Sequence, residues 1–130
     1  MNLLGRRDPT LYGSVSFASY LEELKLKYPD GLLQYFQTNH EGGIMDYLHQ
    51  YGFNDNTGII LNAGGFTHTS ISLRDAIDAI EAPVVEVHIS NIYEREDFRA
   101  VNYLKEKCAA SYVGQGLDGD QMAIDYLLTR

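Results

Sequence analysis

Two short apolar runs, residues 58–62 (GIILN) and 84–89 (VVEVHI), constrain this chain more than anything else in it. Both are rich in β-branched residues, long enough for a strand and too short for a helix, and each brings a histidine to its end or to the loop just beyond it. Between them lies a stretch of helical character, with Ile71, Ile77 and Ile80 expected on one face and Pro83 as its stop. Strand, helix, strand in that order requires a crossover, and such crossovers are right-handed and set parallel strands side by side.

The flanking segments extend the same alternation. Phe17, Tyr20, Leu21, Leu24 and Tyr28 recur at helical spacing, with Ser14 or Ser16 placed to cap the start and Pro29 just past the end. Residues 32–38 (LLQYFQT) read as a strand. Ile44, Tyr47, Leu48 and Tyr51 mark a second helix closed by Gly52. A polar stretch over 90–99 and a short helix or loop over 101–104 precede a weaker strand at 110–113 and a terminal helix over 121–128. The expected class is α/β, a flavodoxin-like doubly wound parallel sheet in three layers, within a single domain spanning residues 1–130.

This inventory opens on a helix, whereas a sheet of strand order 2-1-3-4-5 places its first strand in the interior. Residues 1–13 hold no apolar run of strand length. The sheet is therefore expected either to hold four strands in another order or to lack its first strand.

Several function classes are disfavoured at once. Ten Lys and Arg against eighteen Asp and Glu leave a formal charge of −8, the wrong sign for a nucleic-acid face. A 45% hydrophobic content argues against wholesale disorder. No apolar run approaches the roughly 20 residues of a membrane-spanning helix. Cys108 is alone and the opening residues do not read as a secretory leader, so a cytosolic protein is expected. Metal-ligand spacings, Walker patterns and GxGxxG are not found, which leaves neither a metal nor a nucleotide indicated.

In an open parallel sheet the site lies in the loops that follow the strands' carboxyl ends. One such loop carries Asn62, Gly64, Gly65 and His68; the other carries His88, Ile89, Ser90 and Asn91, with Arg95 and Arg99 close behind. Downstream helix N-termini would offer N–H donors to an anion, and two arginines four apart would form a carboxylate clamp. A lone histidine at a strand end is usually structural, but two at adjacent strand ends favour a site. Arg95 and Arg99 taken alone would be a solvated face. His40 and His49 read as structural or surface groups. The opening segment GRRDPTLYG at 5–13 holds two arginines and a tyrosine between Gly and Pro, and on composition alone is a frayed terminus.

Taken together, NLLGRRDPTLYGS at 2–14, YFQTNHEG at 35–42, ILNAGGFTHTSISLRDAI at 60–77, PVVEVHISN at 83–91 and EREDFR at 94–99 resemble type II 3-dehydroquinate dehydratase. The resemblance is collinear over nearly the whole chain. It implies a flavodoxin-like subunit, a dodecamer of trimers, and cofactor-free, reversible dehydration of 3-dehydroquinate to 3-dehydroshikimate in the shikimate pathway. It further implies Tyr12 as the base that removes the proton beside the ketone, Arg7 as the cation favouring its phenolate, and His88 as the acid that protonates the leaving hydroxyl. Asn62, His68, Ile89, Ser90 and Arg99 match substrate-holding groups, and Asp75 matches an acidic residue at a subunit contact. Glu86 shares a strand face with His88 and supports it, and Arg95 adds positive field.

The chain departs from the family pattern in two places. The family's opening strand and its INGPN-like turn have no counterpart, and Met1 stands where a leucine is usual, so a start assigned too late is the expected cause. Tyr93 stands where a histidine is common. A catalytically impaired paralogue serving as a binding or scaffold subunit is the alternative reading. A flavodoxin-like nucleotide binder is a third, though it lacks a phosphate-cradling loop.

Overall fold

The computed structural model describes residues 17–129. Arg7, Tyr12 and the cap candidates Ser14 and Ser16 lie outside these residues. The chain divides into two units that meet in sequence between Gln37 and Thr38.

In the first unit, helix α1 spans Phe17–Lys27 and has Lys25 and Lys27 in its last turn, where cations suit the negative end of the helix. Tyr20 and Leu24 are buried, four residues apart on one face as the periodicity requires. Beyond it, the strand expected over 32–38 is not found among the described residues. Leu32 is 85% exposed, and Tyr35 and Phe36 are more than 40% exposed.

The second unit holds a parallel sheet of three strands, β1 (Ile59–Leu61), β2 (Val84–His88) and β3 (Ala110–Val113), in that spatial order. The register places Leu61 opposite Glu86, and Glu86 opposite Ser111. Helix α2 (Glu41–Tyr51) precedes β1, α3 (Ile71–Ala79) makes the first crossover, and α4 (Asp118–Leu128) follows β3. The crossover from β2 to β3 contains only short 3-10 turns.

Two apolar clusters lie on opposite faces of the sheet. Leu48, Leu61, Leu73, Ala76, Ile77, Ile80, Val84 and Leu104 pack together on the α2–α3 side. Val85, Val87 and Ala123 pack on the α4 side, with Tyr126 and Leu127 against them. Strand β2 is buried along its whole length, as a strand covered on both faces must be. The period of two then sends Val85 and Val87 toward α4, and Val84, Glu86 and His88 the other way. Along α3 and its cap the buried face is Leu73, Ala76, Ile77 and Ile80, while Ile71 is 58% exposed. The spacing i, i+3, i+4, i+7 runs through Leu73, and Ile71 falls on the opposite side.

Gly52 ends α2 as expected, its N–H bonding to Leu48 O. A Cβ there would lie 2.5 Å from both the Ile80 side chain and Leu48 O, so this close approach of α2 to the end of α3 admits only glycine.

Candidate active site

Three segments meet at the carboxyl ends of β1 and β2. The first is the 3-10 turn Gly64–His68 after β1. Asn62 accepts the Gly64 N–H at 3.1 Å, which tightens the entry, and Gly64 sits at φ +57°, a conformation that glycine adopts without strain. The turn delivers His68 into the interior, 9% exposed, with Nδ1 2.6 Å from Val101 O. A carbonyl only accepts, so Nδ1 carries the proton and Nε2 is the ring nitrogen left for other work.

The second is the end of β2. Glu86 is 1% exposed and His88 is 5% exposed, and His88 Nε2 lies 3.1 Å from Glu86 Oε2. A buried carboxylate is tolerated only with donors around it, and Glu86 has them. Ser111 Oγ donates to Oε1 at 2.7 Å, and Asn102 Nδ2 donates to Oε1 at 2.9 Å and Oε2 at 3.2 Å. Burial works to raise the Glu86 carboxyl, but donors from His88, Ser111 and Asn102 and the His88 charge outweigh it and hold it below its ordinary value. An ionised carboxylate accepts only, so His88 Nε2 donates. The pair is a histidine anchored to a fixed negative charge, an arrangement suited to delivering or taking a proton.

The third segment follows β2. Asn91 caps the turn Ile92–Glu94 by accepting the Tyr93 N–H. Arg95 donates to Ser90 Oγ at 3.2 Å. Arg95 and Arg99 do not form an open carboxylate clamp. Glu96 lies 3.8 Å from Arg95 and is hydrogen-bonded by Arg99 Nε, so a carboxylate of the chain stands between the two guanidiniums. Spacing of four suggested a shared helix face, but Arg99 lies in a 3-10 turn, Asp97–Ala100, with Arg95 before it.

The helix N-terminus after β1 is likewise engaged. Ser70 Oγ accepts the Leu73 N–H and donates to Glu41 Oε1 at 2.7 Å. Asp75 lies on the exposed side of α3, and Ile89 O accepts the Gly116 N–H at 3.0 Å. His40 and His49 are exposed, as expected of surface groups.

Sequence reasoning placed Asn62, His68, Glu86, His88, Ser90, Arg95 and Arg99 around one sheet end. It missed Asn102 and Ser111. Ser111 was accessible in principle, because a parallel neighbour in register with Glu86 must share its face. Asn102 carried no signal, since it lies in coil that no periodicity describes.

A family model for class II dehydroquinase matches residues 1–128. The chain belongs to the class II dehydroquinase family. It is 50% identical over 129 residues to a 3-dehydroquinate dehydratase from Exiguobacterium sp., covering 98% of this chain and 88% of the relative. It is 45% identical over 129 residues to catabolic 3-dehydroquinase 2 of the fungus Neosartorya fischeri, covering 97% and 85%. The solved type II dehydroquinase from Butyrivibrio crossotus superposes with a TM-score of 0.92 at 38% identity, over 98% of this chain and 90% of that one. The flavodoxin-like class inferred for this dehydroquinase agrees with that likeness.

Proposed function

We propose that this dehydroquinase catalyses the reversible loss of water from 3-dehydroquinate to give 3-dehydroshikimate, without a cofactor. The observation that carries the reading is the buried Glu86–His88 pair at the end of β2, beside a second buried histidine, His68. Relatives named for this dehydration align over nearly the whole chain.

In this reading Tyr12, as phenolate, takes the proton from the carbon beside the ketone and leaves an enolate. A free phenol ionises near about 10, so the Arg7 guanidinium is needed to favour the charged form at neutral pH. The carbon–oxygen bond then breaks as His88 protonates the departing hydroxyl, and water and an enone result. Asn62, His68, Ser90, Arg99 and the Ile89 backbone hold the ring hydroxyls and the carboxylate. Arg95 deepens the positive field.

The test is the ultraviolet absorbance of the enone when the chain meets 3-dehydroquinate. Turnover is expected, and a Tyr12→Phe chain is expected to bind substrate without dehydrating it. No enone from the parent chain would overturn the reading, and enone at the parent rate from Tyr12→Phe would remove Tyr12 as the base.

Asp75, exposed on α3 in the single chain, is assigned to a contact between copies, and the assembly to a cytosolic dodecamer of trimers. Light scattering is expected to give twelve subunits; a monomeric mass would refute the assembly.

A further inference from the structure

Asn102 has no part in the chemistry above, yet its amide is engaged at both ends. Its Nδ2 donates to both Glu86 oxygens, while Oδ1 accepts the N–H of Leu104 at 2.9 Å and of Lys105 at 3.1 Å. The residues beside it are tied in a different direction. Val101 O receives His68 Nδ1, Tyr103 N donates to Thr67 O at 3.0 Å, and Tyr103 O accepts Arg74 at 2.9 Å. The coil carrying Asn102 is thereby stitched to the loop after β1 and to α3, and the Asn102 amide reaches across from that coil to the carboxylate on β2.

We propose that Asn102 is the positioning residue of the Glu86–His88 pair, holding the carboxylate so that Oε2 meets His88 Nε2 and tying that pair to the His68 loop. Ser111 and His88 each hold one Glu86 oxygen, and the Asn102 amide nitrogen, donating to both, ties the orientation of the whole carboxylate to the coil. The groups facing Glu86 are His88 on its own strand, Ser111 on β3, Asn102 on the coil and Cys108 ahead of β3. Leu61, opposite it on β1, is apolar. Burial, and then the Glu86 charge, push the Cys108 thiol up to about 12, so it adds no charge near neutrality. The kinetic consequence of this inference rests on the dehydratase reading; the structural one does not.

Asn102→Asp is the informative variant. It keeps an oxygen for the Leu104 and Lys105 N–H groups, and so keeps the coil, but sets a second carboxylate where the amide donated. Two carboxylates so close cannot both ionise readily, and the pair retains a proton to higher pH. While protonated, the introduced carboxyl donates to Glu86 as the amide did; once the proton leaves, repulsion turns the Glu86 carboxylate away.

Carbon-13 NMR of the Glu86 carboxyl in the substrate-free chain is expected to show its titration moved upward by at least about one pH unit in Asn102→Asp. Turnover number is expected to match the parent below that ionisation and to fall about 10-fold above it, with KM within about twofold. Asn102→Ala, which removes the donor without adding a charge, is expected to lose about 10-fold in turnover number at every pH. An unmoved Glu86 titration in Asn102→Asp, or turnover in Asn102→Asp that parallels the parent at all pH values, would overturn the proposal. A moved titration in a chain whose parent never dehydrates 3-dehydroquinate would uphold the positioning role and reject the dehydratase reading.

Discussion

Turnover of 3-dehydroquinate is expected to fall by about 10²–10⁴-fold when His88 is replaced by alanine, with substrate affinity changed only a few-fold. The hydroxyl that departs in the proposed elimination is a poor leaving group unless protonated as its bond breaks. His88 is suited to that because it is held: it is 5% exposed and anchored through Nε2 to a carboxylate whose remaining positions are filled by Asn102 and Ser111. An alanine leaves a small space and no proton donor, while the side chains assigned to hold the carboxylate and ring hydroxyls all remain. Enone formation at saturating substrate measures the loss, and calorimetry with 3-dehydroquinate measures affinity. Turnover within about twofold of the parent would remove His88 from the chemistry, since general acid catalysis of this kind contributes far more than that.

The second large effect is on stability. Glu86→Ala is expected to cost about 3–5 kcal/mol, read as a lowered midpoint in urea unfolding. The cost comes less from the lost ion pair than from what remains. Asn102 Nδ2, Ser111 Oγ and His88 Nε2 all point at the vacated place, and each buried donor without an acceptor costs about 1–3 kcal/mol. A loss below about 1 kcal/mol would show that water or a rearranged side chain replaces the carboxylate.

The same carboxylate gives the fold an acid limb. Its folded value is lowered from the ordinary 4.5, so its stabilisation is complete above about that pH and is lost as pH falls through the lowered value. Glu86→Ala is expected to flatten stability in that range. Asp120 works in the opposite sense and in a higher window. Burial raises it from 3.8 to about 6, so it weakens the folded state as pH rises between those values. The two contributions are therefore separable in one pH series.

Much of this molecule was readable in its residue order. The runs GIILN and VVEVHI are strands because β-branched residues packed against apolar clusters on both faces leave little else for them to be, and their parallel pairing follows from the helix between them. The same logic placed His68 and His88 at neighbouring strand ends and Glu86 on the His88 face, because a period of two admits no other placement. Three features needed the folded chain. Residues 32–38 have the composition of a strand, yet no strand is found there among the described residues, because composition reports a segment's own preference and not its pairing. Arg95 and Arg99 looked like a clamp until Glu96 was seen between them. Asn102 meets Glu86 only because coil residues on either side of it are bonded to a different loop, and contacts of that range leave no local pattern for a sequence to display.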